Sequence, residues 1–469
     1  MYKIIFILAV NLIAFSLFSQ TSVSGGIYQN TTWTTAGSPY IITGSIVVFP
    51  GNTLTIQPGD EIKIDNQVNN TIYIETRGTI NCVGTDLLPI KIYTIYDTTS
   101  TVGWQGFVCT SSQGGVLNAD RFHISNAFNP FAYETPLNNY QYTNCKFSHC
   151  SQAISVANSV ELINCQFIDN EVGVYGWSYF TIQNCFFKDN TTSIQAYPTA
   201  FLMTNTNFVD NQIGVSFAAN VFDSMYIEDC QFLNNGLALN YPNKGKVQNC
   251  LFSDNTTAIQ SAYYCEIFNN EFMYNELAIE ACVNALVHDN QINSNIGGLR
   301  ISNVSTVQDS PQIFDNEICS NINYNVNNNT NMNYSLLSNC FCGLDSSTIE
   351  IYLIDGYDDI TKGLINYTLY DTTCTTILGT VQKFQMQGAG IDPSIIAALS
   401  YNNPISDYLK IFQETAIDQV AIYNANGQKV VINAISPNTF DLRFLQSGIY
   451  FVKVLQENSN TSTFKLIKQ

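Results

Sequence analysis

Cysteine, aspartate and asparagine recur in this 469-residue chain at nearly fixed intervals. Residues 164–170 read NCQFIDN, 184–190 read NCFFKDN and 249–255 read NCLFSDN. Thiols and carboxylates are the groups that hold metals and move protons, so three chemistries can be written on them. Asp169, Asp189 and Asp210, followed by Asp254, form a carboxylate column that could share Ca²⁺. Lys188, beside Asp189 and near Asp169, is the pairing closest to a polysaccharide lyase, which needs a base next to cation-holding carboxylates. Asp355, Asp358 and Asp359 in DGYDD supply the paired acids that a glycoside hydrolase requires.

Other catalytic signatures are missing. His123, His149 and His288 are dispersed and form no HxH or HExxH motif. There is no GxSxG elbow and no Gly-rich phosphate loop with a lysine. Bases are scarce: between residues 100 and 340 they are Arg121, Lys146, Lys188, Lys244, Lys246 and Arg300. Aromatic residues are more promising. YGWSYF (175–180), AYPTAF (196–201), NYPNKG (240–245) and SAYYC (261–265) interrupt the repeats. Tyr175, Trp177, Tyr179, Tyr197, Tyr241, Tyr263 and Tyr264 are candidates for an exposed strip on which sugar rings could stack.

The repeat itself says what positions these residues. Phe147, Phe167, Phe187, Phe208, Phe232, Phe252 and Phe272 recur in one column, continued by Ile292 and Ile318, at steps of 20 to 26 residues. Two residues before each Phe stands Cys145, Cys165, Cys185, Thr206, Cys230 or Cys250; Phe272 departs from the cysteine pattern. Three residues after each Phe from Phe167 onward stands Asn170, Asn190, Asn211, Asn235, Asn255 or Asn275, then Asn295 and Asn321. A small-then-aliphatic pair follows, from Gly173-Val174 to Gly298-Leu299. A period near 20 with short strand-like pieces and no helical stretch predicts a parallel β-helix with one coil per repeat. Coils stack about 4.8 Å apart, so each column becomes a ladder. Phe then fills the core, Asn serves the bends and the cysteines are buried thiols. Cβ atoms one coil apart are too far for a good disulfide, and a one-dimensional thiol stack does not converge on a metal. In this reading each Asp caps a turn, which accounts for the column without chemistry.

Charged residues make up only 12% of the chain and the net charge is −19. Residues 404–469 carry six Lys/Arg and five Asp/Glu, leaving twelve and thirty-two in the rest of the chain. Phosphate recognition needs clustered Lys/Arg, so no nucleic-acid partner is expected. Residues 1–20, MYKIIFILAVNLIAFSLFSQ, read as a secretory signal peptide, and no membrane span is expected elsewhere.

Two stretches carry family resemblances. TTWTTAGSPYIITGSIVVFPGNTLTIQPGDEIKI, RGTINCVGT, PIKI and GWQGF resemble the start of secreted bacterial right-handed parallel β-helix repeat proteins. NCFCGLDSSTIEIYLIDGYDDITKGLINYTLY (339–370) resembles their closing segment, where a short helix precedes a final extended piece. Ser347 to Glu350 reads as a capping box for that helix. Given an oxidising export route, Cys374 is expected to pair with Cys340 or Cys342. Further on, YNNPISDYLKIF, VAIYNANGQKVV, SGIYFVKV and a basic last strand resemble the C-terminal sorting domain of type IX secretion cargo. Its Asn426-Gly427 and Ser447-Gly448 pairs read as hairpin turns. That resemblance implies delivery by the type IX machinery across an outer membrane.

The expectation is therefore an all-β chain: a right-handed parallel β-helix, about 20 residues per coil, followed by a small C-terminal β-sandwich sorting domain. Boundaries are expected at 1–20 for the signal peptide, 21–130 for the N-terminal cap and irregular first coils, and 131–338 for the regular coils. The closing segment takes 339–375, a linker 376–403 and the sorting domain 404–469. The expected function is a secreted or surface protein that binds glycan or another surface ligand without catalysis and without a required cofactor. The alternative is a polysaccharide lyase or hydrolase acting in a carboxylate-lined groove, with Ca²⁺ as its candidate ion.

Overall fold

The structure, a computed structural model, describes residues 20–371 except 68–70, 97–102, 134–138 and 218–223, then Cys374 and most of 400–468. The expected signal peptide (1–20) lies almost wholly outside the described residues, as do most of the expected linker and the Asn426-Gly427 turn. The chain forms two compact units, Met1–Gly388 and Ala389–Gln469.

The first unit is a parallel β-solenoid of about 14 turns. The phrase NCQFIDN shows how the sequence makes a coil. Asn164 and Asp169 are both left-handed, at φ 55° and 56°, and the strand Gln166–Ile168 spans the gap between them. Few residues other than glycine tolerate that conformation, and Asn and Asp are the commonest. The two corner columns follow: Asn144, Asn164, Asn184, Asn205, Asp229 and Asn249 on one side, and Asp169, Asp189, Asp210, Asn234 and Asp254 on the other. The aspartates stand at left-handed corners, a backbone geometry that Asp and Asn adopt more readily than other side chains.

Between the corners, Phe167 points inward and pairs in register with Phe147 and Phe187. The rings from Phe147 to Phe272 form one stack, with neighbouring planes within 7° of parallel. Phe167 and Phe187 are 4.6 Å apart, and burying each such ring contributes roughly 1.5–3 kcal/mol.

The inward asparagines satisfy themselves. Asn190 Nδ2 donates to Phe167 O and to Asn211 Oδ1, both at 2.9 Å. Its neighbours repeat the arrangement from Asn170 to Asn321. Buried amides left unpaired would be costly, and here every rung serves the next.

Cys145, Cys165, Cys185, Cys230 and Cys250 are buried free thiols in the other inward column. Burial pushes the Cys145, Cys165 and Cys250 thiols well above their usual range. After Cys250 this column changes to Asn270, Asn290, Asn316 and Asn339, a second amide ladder with the same bonding.

At the closing end, Ser346–Ile351 is a single short helix. Its N-cap is Asp345, which accepts from Thr348 N at 2.8 Å, so the expected capping box from Ser347 is displaced by two residues. Ser347 instead donates its hydroxyl to Asp345 Oδ1. A carboxylate is the stronger acceptor for a helix N-terminus. Cys374 pairs with Cys340, and Cys342 pairs with Cys319, a partner that the spacing of the cysteines does not suggest.

The second unit packs two four-stranded antiparallel sheets around Leu409, Ile422, Phe440, Leu442, Val452, Val454 and Leu466. The strands that flank Asn426-Gly427 pair antiparallel, Ile422 with Val430 and Tyr423 with Lys429. Ser447-Gly448 does not close a hairpin. Thr439–Asp441 belongs to one sheet and Gly448–Gln456 to the other, so the chain crosses between sheets there.

Candidate functional site

The flank that carries the aromatic residues departs from the regular coil. Val172–Gln183 and Thr192–Thr204 are unbroken strands of 12 and 13 residues, running through a position where other coils turn. Ser178 bends the first at φ 90°, beside a register shift at Ser178/Tyr179. Trp177 and Tyr197 are in register and stack at 4.2 Å with an interplanar angle of 16°. Tyr175 meets the edge of Tyr197 at 5.8 Å. Trp177 remains 50% exposed and Tyr179 55%, so the pair offers an open aromatic face.

A second pair, Tyr241 and Tyr263, stacks at 5.2 Å further along the axis. Tyr241 is left-handed at φ 59° and the neighbouring Tyr264 at 49°. Bulky residues rarely adopt that conformation, and strain of this kind gathers at functional sites. Burial raises the Tyr263 phenol, which keeps it a neutral donor.

Two residues before Trp177 and Tyr197, an outward column runs along the same flank. Register carries it from Tyr175 through Gln195, Ser216 and Asn240 to Gln260, then from Glu280 through Arg300 to Asn327. Buried residues stand on both sides of Tyr175 and Gln195, so strand alternation turns the column outward. Asn240 Nδ2 donates to Ser216 Oγ at 3.2 Å and Gln195 Nε2 to Tyr197 Oη at 3.3 Å. Amides, hydroxyls and an aromatic face on one strip can bond sugar hydroxyls and stack on a ring.

The carboxylate column lies elsewhere, on the left-handed corner. Asp169, Asp189 and Asp210 are exposed there. Lys188 Nζ meets Asp189 at 3.4 Å, whereas Asp169 pairs with His149 Nε2 at 3.0 Å. Asp210 accepts from Asn234 Nδ2 at 2.7 Å. Partial burial raises the Asp189 carboxyl, opposed by Lys188. The DGYDD carboxylates are engaged with backbone: Asp355 accepts from Ile365 N and Tyr357 N, Asp358 from Asp355 N and Asp359 from Thr361 N. His288 sits between Phe268 and Phe314, with Asp289 on Nδ1 at 2.7 Å and Glu266 on Nε2 at 3.2 Å. Among the described residues, one group of sulfur or carboxylate ligands is close enough for a metal: the sulfurs of Cys319, Cys342 and Cys374. All three are in disulfides.

Residues 400–469 match the model of the secretion system C-terminal sorting domain. No curated protein matches the chain. The sorting domain places the chain with exported proteins handled by the type IX secretion machinery, destined for the cell surface or for release. Among the described residues, no helix is long and apolar enough to cross a membrane.

Proposed function

We propose that this exported solenoid binds a glycan chain laid along its axis on the flank between Tyr175 and Asn327. The observation that carries the reading is the half-exposed Trp177 face, stacked on Tyr197 beside a column of hydrogen-bonding side chains in register from Tyr175 to Gln260. Sugar sites combine an aromatic platform with a few placed polar groups, and parallel coils repeat both at regular intervals. The strip is built from binding groups and the reading requires no cofactor. Residues 1–20 serve as the signal peptide, 21–338 and the closing segment 339–375 as the binding body, 376–403 as the linker and 404–469 as the sorting module.

A panel of soluble polysaccharides, scored for both binding and product release with and without Ca²⁺, tests this. Saturable binding without shorter products is expected, unchanged by chelator. Calcium-dependent product release would favour the lyase alternative at Asp169, Asp189 and Lys188. Absence of binding to every polymer would remove the glycan reading.

A further inference from the structure

The outward column contains one charged pair, and the solenoid departs from its repeat to hold it. Glu280 is 7% exposed. Its Oε2 accepts from Ser261 N at 3.2 Å and Ser261 Oγ at 3.1 Å. Its Oε1 accepts from Ser302 Oγ at 2.6 Å and meets Arg300 Nη2 at 3.2 Å. Ser261 reaches the carboxylate because strand Thr257–Ala262 shifts register between Ile259 and Ala262, with Ser261 left-handed at φ 55°. Bulges and left-handed non-glycine residues collect where a side chain must be re-aimed. Two serines and a bulge thus converge on one buried carboxylate, which in turn meets the Arg300 guanidinium.

That guanidinium is unfinished. Arg300 is about a third exposed, and its Nε is buried without a hydrogen-bond partner. The clamp also touches the second aromatic pair: Ser302 Oγ lies 3.8 Å from Cys282 Sγ, and Cys282 contacts Tyr263.

We infer that Arg300 is the specificity-determining residue of this flank and that it selects a neutral polysaccharide, donating to sugar hydroxyls, with Glu280 as its positioning residue. This rests on the glycan reading above. Arg300 and Glu280 cancel in charge, and the other members of the column, Tyr175, Gln195, Ser216, Asn240, Gln260 and Asn327, are neutral. A further cation at the column, Lys362, donates to Asn327 Oδ1 at 2.9 Å and is offset by Asp359. With a net charge of −19, the chain repels a polyanion at long range and has no uncancelled cation in the column to recover the loss. A planar guanidinium anchored at Nη2 by a carboxylate directs its remaining donors in a set plane, suited to adjacent hydroxyls.

The test uses the full chain and matched polymers: soluble β-glucan, mannan and xyloglucan, each native and after oxidation of primary hydroxyls to carboxylates. Wild type is expected to bind at least one native polymer and to bind its oxidised form about tenfold or more weakly, the scale of one hydrogen bond to a charged group. Arg300→Gln and Arg300→Lys should each weaken native binding about tenfold, since Lys keeps the charge and loses the fork. Glu280→Gln uncovers the Arg300 charge and should narrow or reverse the native-to-oxidised ratio, a change that general loosening of the fold does not produce. Should Glu280→Gln fail to fold, the Arg300 pair and the wild-type ratio decide the matter. Preference of wild type for the oxidised polymers, or native binding within twofold of wild type in Arg300→Gln, overturns the inference and leaves the glycan reading standing. Binding to none of the six polymers overturns both.

Discussion

The side-chain oxygen of Asn190 accepts two donors from Asn170, the backbone N–H and the side-chain amide, each at 3.0 Å. In return the Asn190 amide serves Phe167 O and Asn211 Oδ1. Asn190→Ala therefore leaves the buried Asn170 N–H without its acceptor and takes one donor from Phe167 O. A loss on the order of 3 kcal/mol is expected from unsatisfied buried groups, read by urea denaturation. Asn190→Asp should be at least as damaging, because a carboxylate cannot donate to Phe167 O. A loss below about 1 kcal/mol in either variant would mean that the ladder is not a stabilising element.

The ten free cysteines are all buried. Burial pushes the Cys150 thiol up to about 12 and raises Cys145, Cys165 and Cys250 as well. The thiolate is the reactive form, so these residues should resist maleimide at pH 8 in the folded chain. Mass spectrometry is expected to show no labelling before unfolding and ten labels after it in guanidinium. Rapid native labelling of Cys165 would place that column at the surface.

Trp177→Ala removes the exposed ring while leaving the core stack untouched. Glycan affinity is expected to fall about tenfold or more, in the range of an aromatic contact with its buried area, with a melting temperature within a few degrees of wild type. Equal affinity in wild type and variant would move the binding surface off this flank.

His123 stands in register between Lys91 and Lys146, and its pKa falls from the ordinary 6.5 to about 4, through burial first and the two lysines second. The unfolded chain takes up a proton between those values and the folded chain does not. Stability contributed by neutral His123 is present above pH 6.5 and is lost as pH falls toward 4. His123→Gln should shrink the difference between melting temperatures at pH 7 and pH 4.5. An unchanged difference would show that His123 protonates freely in the fold.

The solenoid was legible because its physics is periodic. Phe167 and Asn170 recur at one coil's spacing, and a single phrase could be compared with its own copies. The second amide ladder was hidden because Asn270 replaces Cys250 at the same position, and the change broke the pattern by which the column was recognised. Aspartates such as Asp169 were visible, but their cause was not: a left-handed φ leaves no mark distinct from a turn cap. The Glu280 clamp was invisible for another reason. Ser261, Glu280 and the Arg300/Ser302 pair are ordinary polar residues on three successive coils, and only the register shift at Ile259/Ala262 brings Ser261 under the carboxylate. Function-bearing irregularities interrupt the pattern, so a reading based on pattern passes over them.

The change from thiol to amide between Cys250 and Asn270 also bears on how the coils find their places. A stack of interchangeable repeats has no origin: one coil could be looped out and its neighbours joined, Phe on Phe and Asn on Asn, with little to penalise the omission. Here Cys250 N–H is met by Asn270 Oδ1 at 2.9 Å, and beyond that point each rung needs an amide on both sides. A slip that set a cysteine coil beyond Asn270 would leave the Asn270 N–H and side-chain amide without the Oδ1 that Asn290 supplies, because a thiol offers no such oxygen. The boundary gives the assembly an address from which its remaining coils are counted.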